Sequence, residues 1–467
     1  MSGARRDRAC ASRIPPSVWK VAVVVSIGSF MAQMDSTLVN VSLAAIGHAL
    51  HSPIATTQWI MSGYLLAMAL ILPLNGWLVD RIGAKRLYLF AFSTFTFASV
   101  LCGAAQNMGE LIAARVFQGL VAGLLAPMAQ MMLGRVAGKN LERVMGYATL
   151  PILLGPIFGP LLAGAVLARA AWPWLFLINV PVGILGVTLA ARLLAPDAGQ
   201  LQRRPFDFTG FALISPGLVA LVYGFQSAMH AEGAAFLLAG AALLAAFVWH
   251  ALRHPTSALI DVRLFADRMF AVPAITQFFA NGIMYGRQFA VALYLIAGCG
   301  LSAAHAGWLL AASGAGMMGS FACMGFLTER LGCRALAAGG ALLALCATLP
   351  FLWMTGHAFS PGLALASLFI AGVGHGTISI PSISAAYARM PKARLPMANT
   401  ALNIAQRMGG PVATTLVAIA VSLAVPSSSA GEPRQFLQAF AALCGLHMAC
   451  FTAAILLPAS VRRANEG

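Results

Sequence analysis

The chain has 467 residues, of which 60% are hydrophobic and only 9% charged, and its mean hydropathy is +0.83. Soluble domains carry about 25% charged residues, so the composition excludes that class and indicates a polytopic membrane protein. The net charge of +16 comes from short Lys and Arg clusters between apolar runs. Such clusters indicate membrane orientation and argue against nucleic-acid binding.

Fourteen apolar segments are predicted to cross the bilayer, each with the roughly 20 residues of helix that a span requires. The first is expected to be retained and not cleaved as a signal, because it is long and contains Asp35. With both termini in the cytoplasm, only Arg169 and Arg434 fall in predicted outer loops, as the positive-inside rule requires. The predicted spans, in chain order, are 18–47, 56–79, 87–105, 109–133, 144–167, 173–194, 208–228, 233–251, 269–298, 304–328, 335–355, 361–387, 397–424 and 436–459.

A charged stretch at 76–86, GWLVDRIGAKR, recurs later in the chain as GFLTERLGCR at 325–334. Matching glycines, leucines, acids and arginines are all shifted by the same distance, from Gly76 and Gly325 onwards. Internal repeats are typical of transporters built from two halves around a central site. We therefore expect three parts: a six-helix half, two additional spans with their flanking linkers, and a second six-helix half. Their predicted bounds are 1–197, 198–268 and 269–467.

Five motifs in chain order resemble those of a known family. The stretch 76–86 resembles the cytoplasmic signature of the major facilitator superfamily. Four further segments resemble motifs in the first, fourth, fifth and sixth spans of its fourteen-span drug/proton antiporters. They are DSTLVNV from Asp35, RVFQG from Arg115, GPIFGPLLAG at 155–164 and WPWLFLINVPVG at 172–183. The resemblance implies an all-α major facilitator fold with two additional central helices, and proton-coupled multidrug-type efflux of small amphipathic compounds by alternating access.

Asp35 is the only carboxylate predicted to lie well inside a span. An ionisable side chain in a membrane is costly and indicates function, because a carboxyl group away from water takes up a proton more readily. Arg115 is predicted at a similar depth in span 4. We expect the two side chains to couple transport to protons, with a permanent structural ion pair as the alternative.

The stretch 76–86 is expected to latch the outward-facing state, as the resemblance implies. Its glycines allow tight backbone geometry, and its charged residues can pair with neighbouring helices. Membrane topology alone explains Lys85 and Arg86 but leaves Asp80 unexplained. The predicted latch residues are Gly76, Asp80, Arg81, Gly83 and Arg86, with Glu329 and Arg330 in the second copy.

The fifth span carries a doubled Gly-Pro pattern, formed by Gly155, Pro156, Gly159 and Pro160. Small residues let helix backbones approach closely, and proline bends a helix. The resemblance associates this antiporter motif with exporters; generic close packing is the alternative.

Arg287, Arg407 and Asn403 are the candidate cavity residues. Arg287 is expected at the depth of Asp35 in the opposite half, where it could attract an anionic group, hold Asp35 or bond to carbonyls. Three intramembrane arginines against one aspartate favour neutral, zwitterionic or anionic substrates over lipophilic dications. His375 and His447 also fall within spans, where a packing role is commoner than proton relay.

The sequence contains no nucleotide-binding GxxxxGK[ST] motif, no metal-ligand spacing and no credible hydrolase constellation, so we predict a transporter and not an enzyme. No cofactor and no metal site are expected. The predicted partners are a small amphipathic substrate, protons and the lipid bilayer, with a periplasmic adaptor left open. The predicted location is the cell membrane, the inner membrane in a Gram-negative source. The alternatives are a dedicated transporter of one metabolite and a substrate sensor on a transporter scaffold.

Overall fold

The computed structural model describes residues 14–137, 140–196, 205–228, 231–254, 258–388, 390–391, 394–423 and 433–458. The regular secondary structure of these residues is entirely helical, with no β-strand. The predicted boundary at residues 197 and 198, and both chain ends, lie outside them. The long helices are α1 (Pro16–Ala49), α2 (Trp59–Ile82), α3 (Ala84–Ala104), α4 (Met108–Val136), α5 (Leu141–Leu167), α6 (Trp174–Leu193), α7 (Phe208–Gln226), α8 (Ala231–Arg253), α9 (Arg268–Leu293), α10 (Ala303–Ala322), α11 (Met324–Met354), α12 (Pro361–Tyr387), α13 (Leu395–Leu423) and α14 (Leu437–Ile455).

Eleven helices in the described part of the chain are long and apolar enough to cross a membrane, namely α1 to α4, α6 to α8 and α11 to α14. The predicted fold class, an all-helical polytopic membrane protein, is confirmed. The count of fourteen spans stays a prediction for α5, α9 and α10. In α9 the polar side chains Gln277, Asn281 and Arg287 interrupt the apolar sequence.

Single glycines make the turns at both copies of the charged repeat. α2 continues to Ile82 and α3 begins at Ala84, with Gly83 between them at φ 96°. In the second copy, α11 already begins at Met324 and turns at Gly332, at φ 75°. A glycine has no Cβ to clash at positive φ, so one residue replaces a loop. The predicted span 304–328 therefore covers α10 and most of the helical segment 324–331, which precedes the turn at Gly332 as the end of α2 precedes Gly83.

The packing of the first six helices repeats in the last six. α1 contacts α4, α5 and α6, while α3 contacts α4 and α6, and α2 contacts α4. Correspondingly, α9 contacts α12, α13 and α14, while α11 contacts α12 and α14, and α10 contacts α12. The repeat seen in the sequence is thus a repeat of helix neighbours.

The two six-helix sets meet at the end of the bundle that carries the repeat, which we call the basic end after Arg81, Arg143 and Arg330. The contacts join α13 to α2 and α4, and α5 to α10, α11 and α12. Asn399 of α13 donates from Nδ2 to the Pro127 carbonyl of α4 at 2.8 Å. These contacts close the basic end.

Helices α7 and α8 pack against each other, and α7 also lies against α2 and α13. Only 17% of the apolar stretch of α8 is buried, so its surface faces lipid. Asp207 begins α7, accepts a hydrogen bond from Gly210 N at 2.8 Å and contacts His250 Nε2 of α8 at 2.9 Å. Just before it, the Phe206 ring packs edge-on against Trp77, so this linker contacts the charged stretch 76–86.

Candidate functional site

Asp35 lies at the centre of a fully buried hydrogen-bond network between α1, α4 and α6. Its Oδ2 accepts a bond from Arg115 Nη1 at 2.6 Å, and both side chains are 0% exposed. Its Oδ1 accepts bonds from Asn179 Nδ2 at 2.8 Å and from Gln118 Nε2 at 3.3 Å. The predicted partners Asp35 and Arg115 thus form a charge-assisted pair with two amide donors.

The Arg115 guanidinium is enclosed by aromatic rings. Its Cζ lies 4.2 Å from the centroid of the Tyr64 ring and 5.8 Å from that of Phe176. Nη1 also donates to Gln118 Oε1 at 2.6 Å, and Nε donates to the Ile60 carbonyl at 3.4 Å. The cation is therefore held by one carboxylate, neutral acceptors and π faces, all away from water.

Gln118, Asn179 and Ser99 complete the network and were missed as site residues. Gln118 Nε2 donates to Ser99 Oγ at 2.9 Å as well as to Asp35. Gln118 lies in the RVFQG motif and Asn179 in the motif at 172–183. Both polar side chains stand in apolar helices, which was the available signal.

Protonation of Asp35 would change the charge balance of this buried network. With Asp35 ionised, the buried pair is neutral overall. Protonation of Asp35 would remove the negative charge and leave Arg115 without a counterion in a low-dielectric site, which favours rearrangement of the helices around it.

The motif glycines of α5 pack on the part of α1 that carries Asp35. A Cβ at Gly155 would lie 2.9 Å from Gln33 Cγ, and one at Gly159 would collide with Thr37 Oγ1. Thr37 Oγ1 also donates to the Gly155 carbonyl at 3.2 Å. The helix positions of Pro156 and Pro160 are described, but their side chains are not. The two glycines therefore set how closely α5 approaches Asp35.

The latch residues lie at the basic end. A Cβ at Gly76 would lie 3.2 Å from the Pro396 carbonyl oxygen, so α2 and α13 meet there backbone to backbone. Asp80 is 7% exposed, and the Arg81 guanidinium lies 5.7 Å from the Trp77 ring. Arg86 is exposed. In the second copy, the Arg330 guanidinium lies 4.4 Å from the Phe326 ring, whereas the Glu329 side chain is outside the described residues.

One basic residue in each copy binds the end of the last helix in its half. Lys85 Nζ donates to the carbonyls of Ala191 and Leu194, at 2.9 and 2.6 Å, where α6 ends. Arg334, at the equivalent repeat position, donates to the Leu457 carbonyl where α14 ends. Cations stabilise helix C-termini, so Lys85 has a structural contact beyond membrane topology.

The candidate cavity residues occupy different places. Asn403 is 3% exposed and donates from Nδ2 to Gln130 Oε1 of α4 at 3.0 Å, within the closed basic end. Arg407, one turn further along α13, is half-buried and within electrostatic range of Tyr64 and Tyr285. Tyr64 thus lies near both Arg115 and Arg407.

Arg287 pairs with neither Asp35 nor any other carboxylate in the described part of the chain. It is 5% exposed, and its Nη2 donates to Ser313 Oγ of α10 at 3.0 Å. His375 and His447 lie within electrostatic range of it. Among the described residues, no three His, Cys, Asp or Glu side chains are placed to hold a metal ion.

The fold and the buried pair can now be set beside known proteins. The sequence profile of the Major Facilitator Superfamily matches residues 25–414. The chain belongs to this superfamily. Accordingly it is a transporter and not an enzyme, and the family resemblance of the motifs is confirmed. Membership also establishes a membrane location and a small-molecule substrate.

Three individual similarities accompany the superfamily match. Over 425 residues the chain is 32% identical to the "Multidrug resistance protein B homolog" of Mycobacterium tuberculosis (strain ATCC 25618 / H37Rv), covering 88% of this chain and 78% of that protein. The crystal structure of the human organic anion transporter MFSD10 (TETRAN) superposes with a TM-score of 0.65 at 16% identity, covering 94% of this chain and 100% of that one. The proton:xylose symporter XylE, bound to 6-bromo-6-deoxy-D-glucose, gives a TM-score of 0.65 at 12% identity, covering 92% and 94%. These two structures establish the shared fold alone.

Proposed function

We propose that this major facilitator is a proton-coupled efflux transporter that exports small amphipathic compounds by alternating access. The observation that carries the proposal is the pair of Asp35 and Arg115, both 0% exposed and joined at 2.6 Å. An isolated structural pair would be an expensive way to join two helices, because desolvation offsets much of the Coulombic gain. Proton exchange by the carboxylate would explain why the desolvation cost of this pair is tolerated. The relative in Mycobacterium tuberculosis, named as a multidrug resistance protein homolog, supports the efflux assignment.

Protonation is expected to act first on α1, α4 and α6. Loss of the charge on Asp35 weakens its bonds from Arg115, Asn179 and Gln118, which come from the other two helices. Arg115 then interacts more strongly with the Tyr64 ring 4.2 Å away. Protonation of Asp35 therefore changes the contacts of α2, which also carries the first copy of the latch residues.

The route to the second half runs through α5 and α13. α5 contacts α1 through Gly155 and Gly159 and contacts α10, α11 and α12 on its other side. α13 joins α2 and α4 at the basic end through Gly76, Asn399 and Asn403. Opening of the basic end requires these contacts to break. We assign to the latch residues the role of holding this end closed.

The orientation follows from the distribution of charge. If the basic end faces the cytoplasm, as the positive-inside rule predicts, both termini are cytoplasmic and this conformation is closed on the inside. The halves at 1–197 and 269–467 then move against each other. Helices α7 and α8 stay on the side of the bundle formed by α2 and α13. A periplasmic adaptor would bind outside the two moving halves.

The test is proton flux in proteoliposomes that contain the purified full-length protein and an internal pH dye. A panel of cationic, neutral, zwitterionic and anionic amphiphiles is added to wild type and to Asp35→Asn. We expect several compounds to evoke proton movement in wild type and none in the variant, while the variant still binds compounds.

Three results would contradict the proposal. Equal proton flux in Asp35→Asn would exclude Asp35 as the proton carrier. A response to one metabolite alone would instead indicate a dedicated transporter, and binding without flux across the panel would indicate a sensor.

A further inference from the structure

Arg287 is a buried cation for which the described residues supply no anion. Its side chain is 5% exposed, and Nη2 makes a single hydrogen bond, to Ser313 Oγ at 3.0 Å. Nη1 is buried with no hydrogen-bond partner. A buried charge is costly unless it is paired, so this guanidinium is arranged to receive an acceptor.

His447 presents a second unused nitrogen in the same region. The side chain is 0% exposed, and Nδ1 lies 2.7 Å from the Leu443 carbonyl. A carbonyl only accepts, so Nδ1 carries hydrogen and donates. Nε2 has no partner, and it becomes a donor only when the ring is protonated. α14 packs on α9 beside Arg287, since a Cβ at Gly286 would lie 3.3 Å from Leu443 Cδ2, one turn before His447. Among the described residues, Arg287 of α9 and His375 of α12 interact electrostatically with His447.

The location of this cluster mirrors that of Asp35 with the charge inverted. Helices α9, α12 and α14 have the same neighbours as α1, α4 and α6. Arg287 stands 19 residues after Arg268, where α9 begins, and Asp35 stands 19 residues after Pro16, where α1 begins. In the first half the protein provides both charges, whereas in the second the described residues provide only the cation.

We propose that Arg287 and His447, with Ser313 and His375 beside them, form a binding site for a carboxylate-type anion. Arg287 Nη1 donates to one oxygen, and protonated His447 donates from Nε2 to the other. The anion is therefore bound together with a proton and more tightly at acidic pH. This inference rests on the proposed function and deepens it, because it assigns weak organic acids as a substrate class. Inorganic chloride shares the chemistry and is the other source of such an anion.

The test measures thermal unfolding of the purified full-length protein in detergent, which requires no transport. Benzoate is the probe, benzamide is its neutral counterpart, and chloride is compared with buffer that contains neither chloride nor a carboxylate. At pH 6 we expect benzoate to raise Tm and benzamide to have no effect, with weaker stabilisation at pH 8. A ligand that binds only the folded state stabilises it in proportion to its affinity.

The variants locate the effect. Arg287→Gln should weaken benzoate binding by about tenfold or more, since a charge-assisted bond is lost, whereas Arg169→Gln, an exposed matched control, should bind as wild type. His447→Gln should remove the pH dependence. Should Arg287→Gln fold poorly, Ser313→Ala leaves the cation in place but unanchored and should weaken binding about threefold.

The outcomes separate the sources and the proposals. Stabilisation by chloride, lost in Arg287→Gln, assigns the site to an inorganic anion. Equal stabilisation by benzamide, unchanged benzoate binding in Arg287→Gln, or no stabilisation by any anion would overturn the site. Because proton flux is measured separately with Asp35→Asn, either proposal can fail while the other holds.

Discussion

The two halves of this transporter differ in how their buried charges are paired. In the first half, Asp35 accepts bonds from Arg115, Asn179 and Gln118, and the pair is neutral. In the second half, at the same position along the corresponding helix, Arg287 has one hydroxyl partner and an unpartnered nitrogen. The two halves therefore share their pattern of helix contacts but differ in their buried charges. We propose that the complete pair takes up and releases a proton and that the incomplete one binds an anion.

The most severe test of this contrast compares the loss of the two arginines. Arg115→Ala leaves the buried Asp35 without its counterion and should cost about 3–5 kcal/mol of folding free energy. Arg287→Ala leaves no carboxylate behind among the described residues, so it should cost less than about 1 kcal/mol in chloride-free buffer. Thermal unfolding of both variants in buffer without chloride or carboxylates measures the difference. Equal destabilisation would break the comparison.

A second test sharpens the role of α5 against α1. Gly159→Ala places a methyl group against Thr37 Oγ1, beside Asp35, and overpacking of this kind costs about 1–3 kcal/mol. Gly164→Ala, on the same helix, meets nothing within 4 Å and should change stability by less than about 0.5 kcal/mol. Unfolding temperatures and proton flux should both fall in the first variant only. If Gly164→Ala were as harmful, helix flexibility and not close approach would be the cause.

The smallest expected effect concerns Asn179, which donates to Asp35 Oδ1 at 2.8 Å. Asn179→Ala removes a bond that stabilises the ionised carboxylate, so the proton is held more tightly. The pH of half-maximal transport should rise by about one unit, since a hydrogen bond to a charged group contributes about 1.5 kcal/mol or more. The pH profile of flux in proteoliposomes measures this shift. A downward shift would mean that Asn179 does not act on Asp35.

The sequence predicted most of the fold because hydropathy and loop charge are local signals. Helix α12 was predicted at 361–387 and occupies Pro361–Tyr387. Residues 329–334 were left between two predicted spans because their charged residues interrupt the apolar run. The connection is shorter, because Gly332 alone makes the turn between the two helical segments. A turn made by one residue depends on a single backbone angle, which hydropathy does not report.

The candidate site was predicted in part for a related reason. Asp35 and Arg115 are charged in apolar spans and are conspicuous in the sequence. Gln118 and Asn179 are neutral, and their bonds to Asp35 depend on how α4 and α6 pack against α1. The sequence likewise did not show that Arg287 lacks a carboxylate partner among the described residues, because an unmade contact has no sequence pattern.

The central claim is that Asp35 takes up and releases a proton in the membrane-embedded protein. Infrared difference spectroscopy of the reconstituted protein, between about pH 5 and pH 9, follows the carbonyl stretch of protonated carboxyl groups. We predict a band that grows on acidification in wild type and is missing in Asp35→Asn. The same band in both proteins would contradict the account, because the proton would then be carried elsewhere.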